Sequence, residues 1–132
     1  FLPYPCFAKS VLCLDKRRLG KQRVEALQCL NALNPESTSR WKNHPACKMW
    51  IGFEGALRNY MRICIIRWID IGCNNTMQIP NVILDTPYPT WLGDEDFHRS
   101  HKSNLLRKDI THYGQFGWTE PDDLEYVWPR ST

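Results

Sequence analysis

The sequence predicts a mainly α, compact single domain of about three helices, with long ordered loops and an irregular aromatic C-terminal tail. Three observations carry that expectation. Apolar residues recur at helical spacing over long stretches, no segment alternates convincingly enough to be a strand, and Pro, Gly and Asn cluster between the stretches. With 132 residues, 42% hydrophobic and 23% charged, the chain suits one ordinary globular core, so a single domain covers 1–132.

Taken in order, Phe1 to Phe7 should be extended, because Pro3 and Pro5 push their predecessors out of the helical region. The first helix is expected from about Asp15, a good N-cap, to about Leu33, where Asn34-Pro35 stops it. Leu19, Val24, Leu27 and Leu30 form its expected buried stripe. Glu36 to Lys42 reads as a polar loop, and Pro45 suits the first turn of a second helix reaching about Gly72. Met49, Phe53, Ala56, Leu57, Tyr60, Ile63, Cys64 and Trp68 describe its apolar face, while Gly52 and Gly55 place a kink or close contact early in it. Residues 74–93 read as an irregular strap, and a third helix runs from near Asp94 to about Lys108. Beyond it, Trp118, Tyr126 and Trp128 are expected to pin a non-regular tail.

Composition excludes several classes. The longest apolar run, Ile63-Cys64-Ile65-Ile66, is cut by Arg67, so no bilayer span is expected. A net charge of +3 points only weakly to polyanions. None of the six cysteines forms a CxxC pair, which argues against a zinc ribbon or a thioredoxin-like site. Their even number allows three disulfides, and Asn74-Asn75-Thr76 fits a glycosylation acceptor, the pattern of a secreted protein. Cys29, Cys47 and Cys64 nevertheless fall in helical stretches, where reduced buried thiols are expected. The chain starts at Phe1 rather than methionine, which points to something upstream, yet nothing reads as a signal or transit peptide and an intracellular location is expected.

The densest chemistry lies between Asp15 and Glu25. Lys16, Arg17, Arg18, Lys21 and Arg23 crowd the start of a helix whose dipole disfavours cations by roughly 0.3–1 kcal/mol each. An anion there would gain both the side chains and the backbone N–H groups, and a phosphate is the obvious candidate. Arg18, Gln22 and Glu25 share one helix edge, and Gln22 is counted with the expected DNA contacts. A carboxylate at such a surface suits acid–base chemistry or a developing cation, although Glu25 could equally pair with Lys21 on a solvated helix. His44 either caps the second helix or faces the site. On the third helix His98, His101, Lys102, Asn104, Arg107 and Lys108 suit phosphate oxygens. Two histidines three apart without further ligands make a metal site improbable, and no cofactor is implied.

Several long blocks together carry a resemblance. They are Phe1-Leu2-Pro3-Tyr4-Pro5, Leu14-Asp15 with Arg17-Arg18-Leu19-Gly20-Lys21-Gln22-Arg23-Val24-Glu25, and Asn43-His44-Pro45. Trp91-Leu92-Gly93-Asp94, His98 through Lys108, Tyr113 through Trp118, and Asp123 through Pro129 complete the set. In these blocks the chain resembles the pyrimidine-dimer DNA glycosylase (endonuclease V-like) family, especially its small bacterial branch. The resemblance implies a repair glycosylase with abasic-site lyase activity on damaged double-stranded DNA. It implies an N-terminal amine, here on Phe1, that attacks C1′ and forms an imine, with Glu25 stabilising the sugar cation and assisting β-elimination. Arg17, Arg18 and Arg23 would grip phosphates around a distorted or flipped nucleotide. The alternatives are a non-catalytic relative serving as a nucleic-acid-binding or structural subunit of a larger assembly, and a secreted structural protein built on disulfides.

Overall fold

A computed structural model describes residues 1–129. Among these the structure is helical, with six α-helices and no strand. They are α1 (Phe7–Leu12), α2 (Lys16–Ala32), α3 (Pro45–Lys48), α4 (Glu54–Asp70), α5 (Glu95–Lys108) and α6 (Ile110–Tyr113). Two short 3-10 turns cover Arg40–Asn43 and Gly114–Phe116. The mainly α expectation holds, and α2 and α5 begin and end within a residue of where capping and punctuation placed them.

The second expected helix is divided. Gly52 takes φ +84, a left-handed turn that separates α3 from α4 and lets Trp50 drive fully into the core. Helix α1 was not anticipated, since the expected extended start reached only to Phe7; it buries Phe7, Ser10 and Val11 against α4. The principal helix pair is α2 on α4. The buried line of α2 is Leu19, Gln22, Ala26, Cys29 and Ala32. Small residues there admit α4 closely, whereas Val24 and Leu27, expected inside, sit exposed at the edge.

The first residues thread through the centre. Leu2 is fully buried, and the Phe1 ring packs on Trp50 and Tyr60 with centroids 5.9 Å away in each case. Residues 73–93 run as a strap along α4. Asn59 anchors it twice, donating to Ile83 O at 2.9 Å and accepting from Ile83 N at 2.8 Å. Arg62 donates to Pro80 O at 2.9 Å. The tail is held on α5 by polar side chains: Ser103 Oγ accepts from Leu124 N and Ser100 Oγ from Val127 N, each at 3.0 Å.

Cys29 of α2 and Cys47 of α3 form a disulfide, correcting the expectation of reduced thiols there. Their Cα atoms come within 5.1 Å, an approach that helix periodicity cannot reveal. Cys6, Cys13, Cys64 and Cys73 are free. Among the described residues, no helix is long and apolar enough to cross a membrane.

Candidate active site

A cavity of about 340 Å³ opens where the chain start, α2, α5 and the tail meet. Leu14 and Leu105 line its floor, and Phe1, Glu25 and His101 face into it. Arg17, Arg18, Lys21 and Lys108 supply positive charge around it, while Trp41, His44, Tyr126 and Trp128 give an aromatic wall. The cavity thus brings four cations, two leucines, an amine and a carboxylate together.

The amine of Phe1 lies 2.9 Å from Nδ1 of His101. Burial lowers its pKa from 8.0 to about 5; Glu25 opposes that fall and Lys108 adds to it. His101, 3% exposed, is likewise held well below its usual range by burial and by the neighbouring terminus. Both groups are therefore neutral at pH 7, and the amine keeps the lone pair a nucleophile needs.

Glu25 is set by a relay from α4. Tyr60 donates to Gln22 Oε1 at 2.9 Å, and Gln22 Nε2 makes a long 3.5 Å contact with Glu25 Oε2. Among the described residues the ion pairs are Arg18–Asp15 and Lys102–Glu120, so Glu25 does not pair with Lys21. Asp15 stands at the N-cap position of α2 without capping it; its carboxylate accepts from the Tyr113 hydroxyl and from Arg18. Burial opposes ionisation of Asp15, but these hydrogen bonds outweigh it and keep the carboxyl below its usual range.

Several expected phosphate contacts lie elsewhere. Gln22 is buried and committed to Tyr60. Arg23 stacks over Trp68 at 4.3 Å and donates to Met77 Sδ, on another face of α2. His98 is buried, its Nδ1–H donating to Leu2 O at 2.7 Å and its Nε2 accepting from Gly93 N at 2.9 Å, which leaves no nitrogen for a phosphate. Asn104 is buried and donates to Ser100 O and Leu124 O. Lys102 sits over Tyr4 and pairs with Glu120, and Arg107 is exposed outside the cavity. His44 does both things suggested for it: Nδ1 caps α3 by accepting from Ala46 N at 3.0 Å, and its ring lines the cavity. Sequence reasoning missed Trp41, Tyr126 and Trp128 as cavity residues, and Tyr60 as the support of Glu25. Only the packing brings them there.

Comparison with known proteins returns no match among curated proteins and none among solved structures. A family model described as pyrimidine dimer DNA glycosylase matches residues 1–81, which takes in the chain start, α2 with Glu25, and α4. That match covers more than half of the chain, and by it this protein belongs to the pyrimidine dimer DNA glycosylase family.

Proposed function

We propose that the protein is a DNA N-glycosylase and abasic-site lyase that acts through its N-terminal amine and Glu25. One observation supports this above the rest: a neutralised terminal amine and a carboxylate with no ion-pair partner among the described residues line one cavity with a cationic rim. The amine attacks C1′ of the damaged nucleotide and displaces the base. Glu25 offers negative charge to the oxocarbenium-like sugar and then serves β-elimination from the imine. Arg17, Arg18, Lys21 and Lys108 would neutralise phosphates of double-stranded DNA, and the aromatic wall would receive an extruded nucleotide. The reading assigns no part to a metal or organic cofactor.

Borohydride trapping on a duplex carrying a pyrimidine dimer or an abasic site tests it. A covalent adduct should form at residue 1, and Glu25→Gln should reduce it by about 10²-fold or more, the scale of a lost acid–base group. Acetylation of the terminal amine should remove the adduct. Salt-dependent duplex binding with no adduct would instead favour the non-catalytic alternative.

A further inference from the structure

We propose that Tyr113 is a positioning residue for the DNA backbone: acting through the Asp15 carboxylate, it orients the Arg18 guanidinium for a phosphate at the cavity. This rests on the duplex-binding part of the function proposed above, and it draws in α6, which lies beyond the family-matched segment.

Three contacts link these residues. The Tyr113 hydroxyl donates to Asp15 Oδ1 and accepts from the Asp15 backbone N–H at 3.2 Å, so it holds both the side chain and the backbone of residue 15. The other carboxylate oxygen, Oδ2, accepts from Arg18 Nη1 at 3.3 Å. Tyr113 is itself fully buried, and the Trp118 ring stacks on it with centroids 5.7 Å apart. One residue earlier, His112 Nε2 donates to Cys13 O at 2.8 Å, a second bond from α6 to the turn that leads into α2. The entry to the cation-rich helix is thus set by a tyrosine 98 residues away in sequence.

Satisfying the buried Tyr113 hydroxyl uses Oδ1 alone. Oδ2 stands where an N-cap aspartate would bond the first N–H groups of its helix, yet Asp15 makes no such bond and turns to Arg18 instead. A partly exposed i, i+3 ion pair contributes no more to folding than a cap would. What the arrangement adds is orientation. Arg17 and Lys21, which share the cavity rim with Arg18, are exposed and make no side-chain hydrogen bond among the described residues. Arg18 is tethered through Nη1, and its remaining N–H groups have no protein partner among the described residues. A planar guanidinium held by one nitrogen offers the rest of its fork to a phosphate with less rotamer freedom left to lose on binding. Burial and the Asp15 carboxylate keep the Tyr113 hydroxyl well above its ordinary range, so it remains a donor. Burial alone would raise the Asp15 carboxyl, but the bonds from Tyr113 and Arg18 keep it low, so it remains an acceptor.

A double-mutant cycle on the full chain tests this, with an abasic duplex as the probe and affinity read by fluorescence anisotropy at pH 7. Tyr113→Phe removes the hydroxyl without changing any charge, and it should weaken binding about 10-fold, the scale of one lost charge-assisted contact. In an Arg18→Ala background the same change should cost nothing further, while in an Arg17→Ala background it should still cost about 10-fold. A loss that persists without Arg18, or an affinity that Tyr113→Phe leaves unchanged, overturns the assignment. Nitrogen relaxation at the arginine Nε sites, with no DNA present, reads the restraint directly. Arg18 should be ordered in the unaltered protein where Arg17 is mobile, and Tyr113→Phe should make the two alike. Equal mobility of Arg18 and Arg17 in the unaltered protein overturns the assignment, even where the variant does not fold. A chain that keeps Arg18 ordered but shows no salt-dependent duplex affinity sinks the duplex reading, and the hold of Tyr113 on Arg18 stands apart from it.

Discussion

At Phe1, a pKa of about 5 leaves roughly 100 neutral amines for each charged one at pH 7. An ordinary terminus near 8 would leave only about a tenth neutral. Rates of adduct formation should accordingly hold level from pH 8 down to about 6 and fall below about 5; a fall already complete at pH 7 would contradict the buried amine. Stability follows from the same shift. The unfolded amine takes up its proton near pH 8 and the folded one only near 5, so the unfolded state binds more protons in that window. Stability contributed by this group therefore drops as pH falls from 8 to 5, by about 1.4 kcal/mol per pH unit for one proton. His101, also lowered by burial, adds in the same direction below about 6.5. Urea midpoints measured across that range should decline toward acid, and N-terminal acetylation should flatten the upper part of the slope. At this scale the cationic helix start was legible, because Lys16, Arg17 and Arg18 crowd the positive end of a helix dipole, whereas Glu25 read by itself as a surface partner of Lys21. His101 was visible only as a histidine on a basic helix, and its partner stands 100 residues away.

Between elements, the strap and the disulfide carry the testable energetics. A Cβ on Gly55 would stand 2.1 Å from Thr86 Oγ1, so Gly55→Ala must displace the strap from α4. Asn59→Ala leaves the N–H and C=O of Ile83 without their partner and should cost about 1–3 kcal/mol, read from denaturant unfolding. Cysteine alkylation of the unreduced, unfolded chain should label Cys6, Cys13, Cys64 and Cys73 but spare Cys29 and Cys47. Breaking that link should cost about 3 kcal/mol for a loop of this size and loosen the segment that carries Trp41 and His44. The long helices were readable because Asp15, Asn34-Pro35, Asp94 and the apolar period act locally. The α3–α4 break was half-read: Gly52 signalled a kink, but the demand of Trp50 for the core decided its size. The true α2 stripe was misread because Gln22, Ala26 and Cys29 look unlike core until α4 lies against them.

For the whole molecule, charge placement outweighs charge total. A net +3 predicts little, yet four cations converge on one cavity. If each meets a phosphate, log affinity for duplex should fall against log salt with a slope near −0.9 per contact, and Arg17→Ala or Lys21→Ala should each lessen that slope by about 1. Arg23→Ala, on the other face, should leave it unaltered. The burial of the chain start has a further consequence for how the protein is made. Phe1 leaves the ribosome ahead of the residues that seat it and has no seat until Trp50, Tyr60 and finally His101 have followed. At ~5–20 residues per second that wait lasts several seconds or more. In refolding from denaturant, helical signal should thus recover before the terminal nitrogen becomes shielded from acylating reagents, and the candidate site should be the last part of the molecule to assemble.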